Sequence, residues 1–129
     1  MKKTITSLLT ASLLAVMALT FSSCKKDETN AAPTITLEEP ENNSTVTLGD
    51  EIHIEGTVAD DEELHEMAIW VTFMGDTVDN EYPTVHALKT YDFHRHYETT
   101  AAGTYTVNVV VADHEGLTAS ETRTVTVAP

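Results

Sequence analysis

The chain has 129 residues, and 21 acidic side chains against 7 lysines and arginines give it a formal net charge of −14. Because phosphate binding is driven by lysine and arginine side chains that release counterions, this balance excludes nucleic acid as a partner. The same acidity keeps a protein soluble and favours cationic partners, metal ions included.

The first residues have the features of a secretion signal. Two lysines precede an apolar run, 8–21, that is shorter than a membrane-spanning helix requires. Small residues then lead to Cys24, the only cysteine of the chain. We therefore assign residues 1–23 to a signal peptide, 24–33 to a linker and 34–129 to a folded part, which has the length of one compact domain.

The residues Phe-Ser-Ser-Cys that end at Cys24 resemble the lipobox of bacterial lipoproteins, although Phe21 stands where that family usually has leucine. In that family the cysteine is lipidated and becomes the new N-terminus. The resemblance therefore implies that Cys24 is lipidated and anchors the protein to a lipid bilayer. The alternative for Cys24 is a free or disulfide-bonded thiol.

Lys25 to Glu28 resembles the lysine-plus-acidic export signal that, in one large group of Gram-negative bacteria, directs lipoproteins to the outer face of the outer membrane. This resemblance implies an outer-membrane protein exposed at the cell surface. A solvated linker with an anchor that faces the periplasm is the alternative. Both alternatives leave a domain tethered by acyl chains.

The rest of the chain alternates apolar and polar residues with the period of two that β-strands show. The alternation predicts strands at 34–38, 45–48, 51–59, 67–73, 90–98, 103–113 and 122–127. Residues 77–89 lack a clear pattern, and Pro83 argues against a central strand there.

About seven short strands, with no run of helical period, favour an all-β, immunoglobulin-like antiparallel β-sandwich. Gly103 to Tyr105 at the start of one strand, and 112–117 after it, resemble the sixth strand of bacterial immunoglobulin-like and cadherin-like surface modules. That resemblance places Tyr105 at the corner position, where the hydroxyl binds nearby backbone.

With the lipoprotein-like start, the Asp61 to Leu64 loop and a strand that carries histidines, the chain resembles the domain-of-unknown-function 4625 family of outer-membrane lipoproteins. The resemblance implies the sandwich fold and the membrane address. It implies no activity.

Polar side chains alternate along the 90–98 strand and therefore share one face of the sheet; they are Asp92, His94, His96 and Glu98. Two imidazoles spaced as His-x-His suit a zinc or copper ion. In an immunoglobulin-like sandwich the 51–59 strand runs antiparallel to this one, which brings His53 and Glu55 near His96, and His86 is a further candidate ligand. The alternative is an ordinary polar solvent face on an edge strand.

The same alternation turns Arg95 toward the core, on the side of Phe93 and Tyr97. A buried guanidinium needs a charged partner, or a bulge that resets the register.

An acidic cluster is expected at one pole of the sandwich, because two loops lie at the same end of this fold. They bring 60–63 close to 113–115, with His65 and His86 alongside. Calcium takes six to eight oxygen ligands, so the candidate calcium ligands are Asp60, Asp61, Asp113 and Glu115. The spacing of a calcium-binding loop is missing, and a solvated acidic turn is the alternative.

Trp70 is the only tryptophan, and alternation with Ile69 and Val71 turns it outward. There it would offer a contact surface to a sugar or a protein. The alternatives are that 77–89 covers it, or that a register shift makes it the core tryptophan of the sandwich.

Sequence motifs of catalysis are missing: there is no Gly-x-Ser-x-Gly turn, glycine-rich phosphate loop or metalloprotease helix. The sequence therefore predicts a non-catalytic, membrane-anchored surface lipoprotein that presents an immunoglobulin-like binding or adhesion module to a protein or glycan. The alternative is a lipoprotein that binds zinc or copper through the histidine strand, or a calcium-stabilised module.

Overall fold

The computed structural model describes residues 29–129, and this part of the chain is all β. Its strands are β1 (Thr34–Glu39), β2 (Ser44–Thr47), β3 (Glu51–Ala59), β4 (Leu64–Phe73), β5 (Asp76–Glu81), β6 (Thr90–Glu98), β7 (Gly103–Asp113) and β8 (Thr118–Ala128). The predicted signal peptide, the lipidation of Cys24 and the export signal lie outside the described residues. Within 29–129, no helix is both long enough and apolar enough to cross a bilayer.

The strands form two sheets, one in the order β1-β3-β6 and the other in the order β2-β8-β7-β4-β5. Neighbouring strands are antiparallel except for β2, which runs parallel to β8. This arrangement confirms the predicted immunoglobulin-like sandwich.

The core lies between the sheets and consists of the side chains that the period-two pattern turns inward. β3, β4 and β7 contribute most of it, among them Ile52 and Ile54 of β3 and Val107, Val109 and Val111 of β7. The loop after β5 adds Val85, whose side chain is also buried. The alternation seen in the sequence therefore identifies the core face of the long strands correctly.

β5 is the strand that the sequence did not reveal. It pairs with β4 at the edge of the larger sheet, and almost all of its residues are exposed. An edge strand exposed on both faces has no apolar period, so alternation gives no signal for it. β5 ends at Glu81, before Pro83, in keeping with the argument against a strand around that proline.

Tyr105 occupies the corner position that the resemblance implied. Its side chain is buried, and its hydroxyl donates a hydrogen bond of 3.0 Å to the carbonyl oxygen of Ala101. Its ring stacks on Phe73, with ring centroids 4.6 Å apart. The corner prediction is therefore confirmed.

Strand direction places the turns at two ends of the sandwich. The end that we call the acidic pole comprises 29–33, 60–65, 82–89 and 113–117, which are joined by backbone hydrogen bonds and by contacts of Asn30 and Ala31. The end that we call the opposite pole comprises 48–50, 74–75, 99–102 and the last residues of β8.

Candidate functional site

The polar strand face forms as predicted. β3 and β6 are antiparallel neighbours, with His53 opposite His96 and Glu55 opposite His94. The face is open to solvent: the His94 side chain is 63% exposed. The predicted neighbours are therefore confirmed, while metal binding at this face stays a prediction.

The geometry of this face selects one subset of the candidate ligands. Oε1 of Glu55 lies 2.5 Å from Nδ1 of His94, and the His53 ring centroid is 6.3 Å from that of His94. Ligand atoms of these three residues, which we call the strand-face cluster, all lie within 4.8 Å of one another. His96 is outside this cluster and has its Nε2 3.6 Å from Oε1 of Glu51. The histidines of the His-x-His pair thus do not converge on one point.

His86 is not part of the strand face. Its ring lies at the acidic pole, 5.3 Å from the ring of His65 and 5.4 Å from the ring of His114, centroid to centroid. The grouping of His86 with His94 was therefore wrong. The loop between β5 and β6, which carries His86, lies at the acidic pole and not on the polar face of β6. The expectation that His65 and His86 lie beside the acidic loops is confirmed.

His65, His86 and His114 form a second group, which we call the three-histidine cluster. Nδ1 of His65 lies 3.2 Å from Nδ1 of His86 and 3.2 Å from Nδ1 of His114. No sequence motif marks this cluster as a ligand set, because its members come from three separate segments of the chain. The only available signal was the shared pole.

Local structure explains why the three rings meet. The register between β4 and β7 shifts from the pair Leu64–Asp113 to the pair Glu66–Ala112, so His65 is the extra residue of a β-bulge. Bulges redirect side chains and are common next to functional sites.

Backbone hydrogen bonds hold the three segments together. The N–H of Leu64 donates to the carbonyl of Leu88 at 2.7 Å, and the N–H of Ala87 donates to the carbonyl of Leu64 at 3.1 Å. The N–H of His114 donates to the carbonyl of Glu63 at 3.2 Å. The backbone that carries each ring is therefore held by a backbone hydrogen bond of the histidine itself or of its direct neighbour in the chain.

Asp113 closes the turn that carries His114. Its Oδ1 accepts the N–H groups of Glu115 at 2.9 Å and Leu117 at 2.8 Å, and its Oδ2 accepts from the side-chain amide of Asn30 at 2.6 Å. Burial tends to raise the pKa of Asp113, but the hydrogen bonds from Asn30 and from the backbone of Leu117, Glu115 and Gly116 outweigh it and hold the pKa below its usual value.

The candidate calcium ligands do not converge in the part of the chain that the structure describes. None of Asp60, Asp61, Asp113 and Glu115 belongs to a group of three whose ligand atoms lie within 4.8 Å of one another. Oδ1 of Asp60 instead accepts the N–H of Glu62 at 2.9 Å, and Oδ1 of Asp61 accepts the N–H of Ala31 at 3.3 Å. These carboxylates order the turns of the acidic pole, and calcium binding stays a prediction.

Trp70 faces outward on β4, as alternation predicted, and its side chain is half-buried. It lies between Asn80 of β5 and Asn108 of β7, and it lines a shallow hollow together with Tyr82. The hollow thus presents two aromatic side chains, each with an apolar ring and a polar group that can hydrogen-bond. Its role as a ligand surface stays a prediction.

The fold defines a class of protein, the immunoglobulin-like β-sandwich domains. Residues of this chain match fibronectin(III)-like modules of CbhA from Clostridium thermocellum with 15% identity and a TM-score of 0.52, covering 73% of this chain and 94% of that one. A PKD domain of an M14-like peptidase from a Thermoplasmatales archaeon matches with 16% identity and a TM-score of 0.51, covering 78% and 96%. At these identities the matches show the fold alone.

A third match, with an engineered protein, has 20% identity and a TM-score of 0.51; it covers 77% of this chain and 21% of that protein, so this chain spans about a fifth of it. No curated protein matches the chain. The chain belongs to the family described as Domain of unknown function (DUF4625), which matches residues 22–128. The family resemblance found in the sequence is thereby confirmed.

Proposed function

We propose that this chain is a non-catalytic lipoprotein of the outer membrane that presents an immunoglobulin-like module to a protein or glycan at the cell surface. The observation that carries the proposal is the attachment of the linker to the acidic pole. The Asn30 amide donates to the buried carboxylate of Asp113 at 2.6 Å, only six residues after Cys24. A lipidated Cys24 is thus followed almost at once by the folded domain.

The length of the linker sets the orientation of the domain. Six extended residues span at most about 20 Å, so Asn30 lies within that distance of an acyl anchor at Cys24. The acidic pole then faces the bilayer, and the opposite pole faces away from it. The opposite pole exposes Met74, 83% accessible, and Leu48, 42% accessible, which are the apolar contacts that it offers to a partner.

Anchoring is tested with Cys24→Ser in a Gram-negative host that processes lipoproteins. We expect wild-type protein to incorporate labelled fatty acid and to remain in the membrane fraction, and the variant to do neither. Ser23→Ala is the matched control, because it changes a neighbouring residue but keeps a small side chain before the cysteine. Unlabelled wild-type protein, or a Cys24→Ser variant that retains the label, contradicts the proposal.

Surface exposure is tested separately by treating intact cells with a protease. The surface-exposed protein is cleaved in intact cells, whereas a periplasm-facing protein is cleaved only after the outer membrane is opened. Replacement of Lys25 to Glu28 by alanines is expected to protect the protein in intact cells while leaving the fatty-acid label in place. Protection of the wild-type protein contradicts surface display and leaves the anchor intact.

The strand-face cluster supports a second candidate function, the binding of zinc or copper. The supporting observation is that ligand atoms of His53, Glu55 and His94 lie within 4.8 Å of one another, and a carboxylate with two imidazoles is a common ligand set for zinc. The double variant His53→Ala/His94→Ala is expected to remove one bound metal ion per chain, as measured by elemental analysis. His96→Ala, on the same face but outside the cluster, is the control and keeps the ion. An unchanged metal content in the double variant contradicts this function.

A further inference from the structure

We propose that the three-histidine cluster binds one divalent transition-metal ion, of the class of zinc or copper, through the Nδ1 atoms of His65, His86 and His114. This site is distinct from the strand-face cluster and independent of the lipid anchor. Its basis is the convergence of three imidazole nitrogens that come from three segments of the chain.

The distances fit a metal ion. Zinc binds imidazole nitrogen at about 2.0–2.1 Å, so two nitrogens of a tetrahedral site are about 3.3–3.4 Å apart. Nδ1 of His65 is 3.2 Å from Nδ1 of each of the other two histidines. Two of the three nitrogen–nitrogen distances therefore already lie close to the spacing that a shared ion imposes, and the ligand atoms of His86 and His114 lie within 4.8 Å of each other.

Hydrogen bonding alone accounts poorly for the same contacts. A ring nitrogen has one position in the ring plane, which holds either a proton or a lone pair. Nδ1 of His65 faces two other nitrogens, and one in-plane proton or lone pair cannot be directed at both. A cation between the rings accepts a lone pair from each of them.

The surroundings favour a cation and prepare the site for it. Glu62, Glu63 and Glu115 lie around His114 together with Lys89, so three carboxylates surround the ring against one ammonium group. Oε1 of Glu66 is 3.8 Å from Nε2 of His65. At 3.8 Å, Glu66 does not hydrogen-bond this ring, but its negative charge adds to the attraction of this pole for a cation. Since backbone hydrogen bonds already join the three segments, little ordering is needed when the ion binds.

The chemistry of the site follows from its exposure. His86 and His114 are exposed, so a water molecule, or a donor from a partner, can take the fourth position. Three neutral imidazoles select zinc or copper over calcium and magnesium, which prefer oxygen ligands. An ion here also links the turn between β7 and β8 to β4 and to the loop before β6.

The test uses residues 29–129, which contain all eight strands and the whole described core, after treatment with a chelator. Zinc and copper are titrated by calorimetry, with magnesium as the negative control, and long-range 1H–15N NMR of the imidazoles reports which nitrogen is ligated. We expect one ion per chain at this cluster, bound tighter than micromolar, with ligation at Nδ1 and a rise in Tm; an ion held by the strand-face cluster counts separately and is lost in His53→Ala/His94→Ala. Each of His65→Ala, His86→Ala and His114→Ala should weaken binding by more than about 100-fold, since even loss of an outer-shell partner costs 10–100-fold.

The matched control is His53→Ala/His94→Ala, which removes two histidines from the strand-face cluster and should leave this ion in place. His86→Ala lies in an exposed loop, and its metal-free Tm shows whether the fold persists. The proposal is overturned if the control binds no ion tighter than micromolar, or if the ion that the control retains survives all three substitutions made in that background. None of these results bears on Cys24, so the anchoring proposal fails or stands by its own labelling experiment.

Discussion

Nη1 of Arg95 on β6 donates a hydrogen bond of 2.6 Å to Oε2 of Glu81 on β5, and the other terminal nitrogen of Arg95 pairs with Asp79. β6 is the edge of the three-stranded sheet, and β5 is the edge of the five-stranded sheet. The guanidinium therefore joins the two sheets along the side where both end. The inward turn of Arg95 that alternation predicted is thus balanced by two carboxylates, on a strand that the sequence did not reveal.

Arg95→Met should destabilise the domain. The Arg95 side chain is 17% exposed, and its loss leaves Asp79 and Glu81 without their partner. Because this network is partly buried, the expected loss is about 1–2 kcal/mol, between the values for exposed and buried ion pairs. Denaturant unfolding measures it. The control is Lys89→Met, which removes an exposed cation whose ammonium donates to the carbonyl oxygen of Asp61 at 2.9 Å, and it should cost less than about 1 kcal/mol. Equal effects of the two substitutions would count against a sheet-joining role for Arg95.

Tyr105→Phe tests the corner hydrogen bond. The substitution keeps the buried ring and its stacking on Phe73 but removes the hydroxyl that donates to Ala101. We expect the free energy of unfolding to fall by about 1 kcal/mol, the usual net value of one hydrogen bond. Tyr82→Phe is the control, because Tyr82 is 72% exposed. A drop in Tm no larger than that of the control shows that the hydroxyl contributes nothing.

Gly56→Ala should be strongly destabilising for a steric reason. A Cβ at this position would lie 2.3 Å from the carbonyl oxygen of Thr36 and 2.8 Å from the Phe93 ring. Since one of these contacts is with backbone, β1 and β3 must shift apart, at an expected cost of about 1–3 kcal/mol. Gly49→Ala is the control; there the added atom meets nothing within 4 Å, and only the backbone conformation, φ +92°, opposes it. No loss of stability in Gly56→Ala is the contrary result.

Asp113→Asn tests the turn that positions His114. The folded pKa of Asp113 lies below the ordinary value of 3.8, so its carboxylate contributes stability above that value and loses it as the pH falls through the folded pKa. The variant should therefore be less stable than wild type at neutral pH, and the difference should shrink on acidification. Chemical unfolding at a series of pH values measures this. Asp61→Asn, on an exposed residue, is the control, and a wild-type advantage that does not change with pH refutes the assignment.

The sequence alone was sufficient for the core and the fold class. Where a strand buries one face, its apolar residues must recur at every second position, and the sequences of β3, β4 and β7 show that pattern. β5 has no buried face, so its place at the edge could not be read from the chain. The bonds of Arg95 were hidden for the same reason.

The two clusters differ in how much the sequence determined. Strand parity and antiparallel pairing sufficed to bring His53 near His96, because a strand has a fixed period and the fold fixes its neighbour. Only the tertiary structure decided that His65, His86 and His114 meet. Their approach depends on a β-bulge and on loop hydrogen bonds between residues far apart in the chain, and neither has a periodic sequence signal.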